Sequence, residues 1–319
     1  MNYDIFNGDA DGIIALLQLR LACPIDSELV TGVKRDIGLL DKVSAQQEDS
    51  LTVLDISMEI NRDGLLRALA SGASVFYADH HRSGIIPEYS NLEAYINLDT
   101  NTCTSLIIDK YLKGRSHYWA ITAAYGDNLV HKAKVLSLEA GLSKTQSEQL
   151  NELGTLINYN GYGAQLEDLH FHPAALYKAL LKYANPFDVM IDLSSPFYVL
   201  QTAYKEDMAR ALAIEPKYQS QILALYELEN APWSRRISGV YGNYLANQDK
   251  DSAHGVFSEN LDGTLTVSLR APLSNKQGAG DICRQFNTGG GRAAAAGVNA
   301  LPRAEIGRFI EAVEGYYLR

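Results

Sequence analysis

The sequence predicts an α/β protein: an N-terminal doubly wound, mainly parallel sheet, a helical middle segment and a smaller C-terminal α+β domain. Three observations predict it. Short β-branched runs alternate with helical segments through the first hundred residues, which is the pattern of a parallel sheet with helices on both faces. Residues 102–230 then carry mostly helical apolar spacing. Strand patterns return after Arg236, around an Asp-Gly turn signal.

The elements follow in order. Tyr3–Phe6 is a first strand, ended by Asn7-Gly8, and Ile13–Leu21 is a buried helix. Leu29–Val33 and Leu51–Ile56 are the next strands, the latter rich in β-branched residues. Asn61 is placed to cap a helix over Leu65–Ala70, which stops at Ser71-Gly72. Ser74–Tyr77 and Tyr95–Leu98 complete the first sheet. Thr104–Leu112 and His117–His131 have helical spacing, and Leu150–Tyr183 is amphipathic but broken by Gly161, Gly163 and Pro173. Strands are expected at Ile237–Tyr241, His254–Ser258 and Thr264–Arg270, the last two joined through Leu261-Asp262-Gly263 as a hairpin. A glycine run at Gly289–Gly291, an Ala-rich stretch and a helix over Ala304–Tyr317 finish the chain. The domain expectation is therefore 1–150, a helical extension and linker over 151–234, and 235–319, with an active-site cleft between the domains.

Length and composition narrow the function. The 319 residues suit two domains, and 46% apolar with 21% charged residues is ordinary for a folded protein. The start, MNYDIFNGDADG, has neither a basic n-region nor an apolar h-region, and no apolar run is long enough to span a bilayer, so a cytoplasmic protein with no membrane partner is expected. Cys23, Cys103 and Cys283 lie far apart without a CxxC pair, as reduced thiols would. The net charge of −10 lacks the basic footprint of a protein that tracks duplex nucleic acid, but it allows a small anionic substrate.

The informative residues are acidic and sit at strand ends. Asp9 and Asp11 follow the first strand, Asp55 ends the third, and Asp79-His80-His81 follows the fourth. The carboxyl ends of strands in an open parallel sheet line the ligand crevice, so these segments converge. Carboxylates gathered without cations repel and raise one another's pKa. Lys34 and Arg35 are the nearest cations in sequence and cannot neutralise five acids. Oxygen ligands with an imidazole suit Mn²⁺ or Mg²⁺. Two such ions, roughly 3.5–4 Å apart, can activate a water and clamp a phosphoryl oxygen, with Asp55 as the natural bridge. Asp127 closes an apolar helical run, Trp119–Gly126, where a lone buried carboxylate is costly unless paired or metal-bound. Each segment alone also has a structural reading: Asp9–Gly12 as a turn with an N-cap, Asp55 as a cap, Asp127 as a helix end, and Tyr159–Tyr162 as a loop packed on the core rather than a base-stacking surface.

These motifs resemble the DHH phosphoesterases. Asp9-Ala10-Asp11-Gly12 is similar to the first motif of that family, Asp55 in VLDIS to the second, Asp79-His80-His81 to the name-giving third, and Asp127 in AAYGDN to the fourth. Gly289-Gly290-Gly291-Arg292 with the following Ala-Ala-Ala-Ala-Gly297 resembles the signature of the DHH-associated C-terminal domain, and Val267–Arg270 its substrate-facing strand. The resemblance implies two Mn²⁺ ions, or Mg²⁺, held by Asp9, Asp11, Asp55, Asp79, His80 and Asp127. It makes Asp55, His80 and His81 the catalytic centre and Gly289, Gly290, Gly291, Arg292 and Arg270 the substrate-binding residues; alternatively the glycine run is a tight turn.

The implied reaction is hydrolysis of a phosphodiester or phosphomonoester in a small nucleotide or short oligonucleotide. The partner is thus a small phosphate-containing substrate, not duplex nucleic acid, and a homodimer is compatible. A polyphosphate or pyrophosphate hydrolase and a catalytically weak nucleotide sensor are the alternatives. The sequence departs from the family pattern in three places. Ile5 stands where many relatives have His, Asn7 where others have Asp, and Arg292 where His often follows the glycines. The first metal site is therefore expected to be the weaker, with Asn7 or water completing it.

Overall fold

The structure is a computed structural model, and it describes residues 1–260 and 262–318. The chain forms two compact units, Met1–Thr202 and Ala203–Arg319.

In the first unit, β1 (Asn2–Phe6), α1 (Ala10–Ala22), β2 (Glu28–Val30), β3 (Ser50–Leu54), α2 (Arg62–Ala70), β4 (Ser74–Asp79) and β5 (Leu92–Ile96) build one sheet and its first helices. Strand order is β2-β1-β3-β4-β5, and every neighbouring pair is parallel. Alternation along the strands decides the faces. Ile5, Val53, Val75 and Tyr77 share a core with Leu65 and Leu69 of α2. Asp4 and Phe6 point the other way, Asp4 to Arg20 of α1 and Phe6 to Tyr177. The doubly wound sheet read from the sequence is therefore present. Asn61 precedes α2 as expected but does not cap it. Its amide donates to the carbonyls of Ile37 and Ser57, and its oxygen accepts from Leu40 N–H, so the side chain ties down the loop beneath the helix.

The helical middle comprises α3 (Thr104–Tyr111), α4 (His117–Gly126), α5 (Val130–Glu139), α6 (Lys144–Gly161), α7 (Pro173–Leu180), α8 (Pro186–Ile191) and α9 (Pro196–Leu212). The expected helix over His117–His131 is two helices. The chain breaks at Asp127-Asn128-Leu129, where Asn128 adopts a φ of +60°. Asparagine is among the few side chains that tolerate this conformation, so the apolar periodicity runs on while the backbone stops.

The second unit contains β6 (Tyr218–Gln219), β7 (Leu223–Leu228), α10 (Pro232–Gln248), β8 (Ala253–Glu259), β9 (Leu265–Arg270), α11 (Ala279–Cys283), β10 (Gly289–Gly291), β11 (Ala295–Leu301) and α12 (Ile306–Tyr317). Its sheet runs β10-β11-β9-β8-β7-β6, antiparallel except for β7 beside β8. Three expectations are corrected here. Ile237–Tyr241 is not a strand but part of α10: Pro232 sits in its first turn, and Trp233, Ile237, Val240, Tyr241 and Leu245 are buried at helical spacing. Leu223–Leu228 is a strand despite its helix-forming Leu, Ala and Glu, because burial in the sheet overrides propensity. The glycine and alanine runs are neighbouring strands, not a turn into the last helix. The β8–β9 pair is antiparallel with Gly263 at φ +81°; Leu261 of the expected turn lies outside the described residues.

Candidate metal centre

The site assembles at the carboxyl edge of the first sheet. Register pairs Phe6 with Leu54 and Leu54 with Ala78. The residues that follow, Asn7, Asp55 and Asp79, therefore emerge side by side. Strand order reverses between β1 and β3, and that switch point is where an open α/β sheet leaves its ligand crevice.

Each first-motif acid is held by a helix N-terminus. Asp9 is the N-cap of α1, its Oδ1 accepting from the N–H groups of Asp11 (3.0 Å) and Gly12 (3.1 Å). Its Oδ2 pairs with the Lys34 ammonium. Burial alone would raise the Asp9 pKa, but the Lys34 charge, the Lys34 hydrogen bond and the Gly12 amide outweigh both burial and Asp127 and hold it below the usual value. Asp11 is turned onto the start of α3. Thr104 N–H donates to Oδ2 at 2.7 Å and Ser105 N–H to Oδ1 at 2.8 Å, while the Ser105 hydroxyl donates to the Asp11 carbonyl.

Asp55 leaves β3 with a φ of +60° and accepts from the Thr104 hydroxyl at 2.9 Å. Its carboxyl is raised well above the ordinary range, first by burial and then by the charges of Asp11, Asp9, Asp79 and Asp127. Asp127, at the break after α4, thus lies within electrostatic reach of Asp55, Asp9 and Lys34.

The histidines fix the chemistry. His80 Nδ1 lies 3.0 Å from the Thr102 carbonyl, which can only accept, so Nδ1 carries the proton and Nε2 presents its lone pair. Nε2 is 3.4 Å from Asp55 Oδ1 and 3.7 Å from Asp11 Oδ2. A ring nitrogen thus sits buried among carboxylate oxygens, a donor set that suits a divalent cation. His81 Nδ1 is 2.7 Å from Asp79 Oδ1, and its side chain is about a third exposed. Asp79 Oδ2 is buried without a hydrogen-bond partner. Among the described residues, the group of His, Cys, Asp and Glu side chains close enough to hold an ion is Asp55, His80 and His81, with ligand atoms within 4.8 Å of one another. The residues fit a divalent ion of the Mn²⁺ or Mg²⁺ class.

The remaining expected site residues lie in the second unit. Arg270 is buried, its Nε donating to Asn243 Oδ1 at 2.6 Å, Nη1 to Ser268 Oγ at 2.9 Å and Nη2 to the Gly239 carbonyl at 3.0 Å. Gly289–Gly291 is an edge strand: a Cβ at Gly289 would fall 1.8 Å from the Cys283 carbonyl oxygen, whereas Gly290 faces open space. Arg292 follows it and is exposed.

Sequence reasoning gave no role to Thr102, Thr104 and Ser105, which orient His80, Asp55 and Asp11, nor a binding role to Lys34, whose ammonium also donates to Asn158 Oδ1 (3.2 Å) and lies 5.3 Å from the centre of the Tyr162 ring. The polar run Thr102–Ser105 ahead of an apolar helix was the available signal.

No family model and no curated protein matches the chain. Solved structures do. The chain is similar over all of its length to exonuclease RecJ bound to manganese, covering 90% of that chain at 15% identity and a TM-score of 0.57. A pGpG-specific phosphodiesterase, PggH from Vibrio cholerae, aligns over 100% of this chain and 99% of its own at 16% identity and a TM-score of 0.52. RecJ from Thermus thermophilus, in complex with Mn²⁺, aligns with a TM-score of 0.58 at 16% identity, over 52% of that longer chain. The chain therefore shares the fold of exonuclease RecJ and of the phosphodiesterase PggH.

Proposed function

We propose that this protein is a metal-dependent phosphoesterase that hydrolyses phosphodiester or phosphomonoester bonds in a small nucleotide or short oligonucleotide. The observation that carries this reading is the convergence of Asp55, His80 and His81 beside the unpartnered carboxylate oxygen of Asp79, at the switch point of the sheet. Full-length similarity to a pGpG-specific phosphodiesterase supports a very short substrate over a long strand, as does the net charge of −10. Three free cysteines, two of them buried, support a cytoplasmic setting. Among the described residues, no helix is long and apolar enough to cross a membrane.

A divalent ion bound here would act as a Lewis acid on a phosphoryl oxygen and lower the pKa of a water. Asp55 and the Nε2 of His80 would hold it, with Asp11 and Asp79 beside them. Thr102 keeps His80 in the ligating tautomer, and α3 fixes the rotamer of Asp11. His81, braced by Asp79, would contact the substrate phosphate through its other ring nitrogen. In the second unit, Gly290 and Arg292 would contact a phosphate-bearing ligand, while Arg270, committed to protein acceptors, braces the sheet behind them.

The test is hydrolysis, with Mn²⁺, of a panel of pGpG-like dinucleotides, short RNA and DNA oligomers, 3′-phosphoadenosine phosphate, cyclic dinucleotides and polyphosphate, run beside Asp55→Asn. Dinucleotide turnover that falls by at least two orders of magnitude in the variant is the expected result. A folded, Mn²⁺-supplied protein that turns over none of the panel refutes the proposal in favour of a nucleotide sensor.

A further inference from the structure

We propose that the Lys34 ammonium serves as one of the two cations of this centre, so that the chain takes a single divalent ion. The inference rests on the phosphoesterase reading above and deepens it.

The argument begins with the ligands that Asp9 has left. Its Oδ1 is committed to two amide donors of α1, and its Oδ2 to Lys34. Asn7 cannot complete a metal site beside it: the Asn7 amide donates to the Lys34 carbonyl, and its oxygen accepts from Asp9 N–H. Ile5, the nearest inward residue of β1 on the other face, is buried and apolar. With Lys34 in place, an ion at Asp9 would find the remaining carboxylate oxygen already paired with an ammonium; with that charge removed, Asp9 Oδ2 would be open to an ion shared with Asp55 and Asp127, whose charges lie within reach of Asp9.

Lys34 is built into that position. Its N–H donates to the Gly161 carbonyl, its ammonium donates to Asn158 Oδ1, and its charge lies over the Tyr162 ring. Gly161 allows this closeness, since a Cβ there would stand 3.0 Å from the Asp9 Cα. The end of α6 and the loop after β2 thus deliver a fixed positive charge to the first-motif carboxylate. By contrast, Asp55 and His80, with His81 beside them, form one cluster whose ligand atoms lie within 4.8 Å of one another, room for one ion. A covalently attached ammonium supplies positive charge next to the phosphate but no Lewis acidity for water activation, so the division of labour is unequal: Lys34 neutralises, the ion activates.

Manganese content after equilibrium dialysis, read with electron paramagnetic resonance on the full chain, tests this. Wild type is expected to bind one equivalent with the spectrum of an isolated ion. Lys34→Gln, which removes the charge, is expected to gain a second equivalent and an exchange-coupled spectrum, while Lys34→Arg stays at one. Asp9→Asn is a check that does not depend on the folding of a Lys34 variant: it should leave the stoichiometry at one, whereas a two-ion centre would lose an ion. Two coupled ions in wild type, or one ion in a folded Lys34→Gln, overturns the proposal and leaves the phosphoesterase reading standing. No manganese in wild type is a separate failure, because it removes that reading as well.

Discussion

Asp55 carries two burdens at once: a left-handed backbone and a carboxyl raised by burial and by four neighbouring acids. Its folded pKa lies above its unfolded value of about 3.9, so without metal its contribution to stability is complete at low pH and is lost as pH rises through the folded pKa. In chelator at neutral pH, Asp55→Asn should therefore melt above wild type, and the gap should narrow as the solution is acidified. Differential scanning fluorimetry across pH checks this; a variant that melts below wild type in chelator contradicts it. At this scale much was legible. The order Asp9-Asp11, Asp55, Asp79-His80-His81 at strand ends points to convergence. What was hidden is contributed by backbone: the Thr102 carbonyl behind His80 and the α3 amides on Asp11 carry no side-chain signature.

Helix contacts govern where Asp127 ends up. α4 and α6 approach so closely that a Cβ at Gly154 would lie 2.1 Å from the Thr122 carbonyl, and one at Gly126 would lie 2.6 Å from the Ala10 Cβ. Backbone cannot retreat as a flexible side chain can. Gly154→Ala is thus expected to destabilise the chain by about 1–3 kcal/mol, the range for overpacking a tight site. Urea unfolding measures it, and an unchanged midpoint refutes the close approach. Periodicity located these helices but ran α4 and α5 together, because the break is made by the φ of Asn128 rather than by a glycine or proline. The same limit explains α10. Ile237–Tyr241 in isolation has strand composition, and only the buried positions on either side reveal the helical period.

Across the whole molecule, acidity is a store of unrelieved repulsion. The net charge is −10, and several of the acids responsible are buried at one edge of one sheet. A bound cation that relieves this should stabilise the native state by mass action. At a free Mn²⁺ concentration near a hundred times Kd, the gain is about 2.7 kcal/mol, or a rise in Tm of roughly 5–10 °C for a unit of this size. Calorimetry with and without Mn²⁺ tests it, and the rise should vanish in Asp55→Asn. Sequence alone foresaw the sheet and its acidic edge but not the strand β7, whose Leu, Ala and Glu disguise a strand that only its partners define.

The φ of +60° at Asp55 also has a genetic meaning. Asparagine and glycine accept that conformation readily, while alanine or glutamate would add strain to the loss of the ligand. An aspartate codon becomes an asparagine codon by a single base change. Of the single-base changes at this position, the one to asparagine therefore removes a ligand of the proposed centre while sparing the scaffold. On the proposed reading, a lineage built on this fold stands one nucleotide from a well-folded protein that would keep its ligand surfaces and no longer consume what it binds.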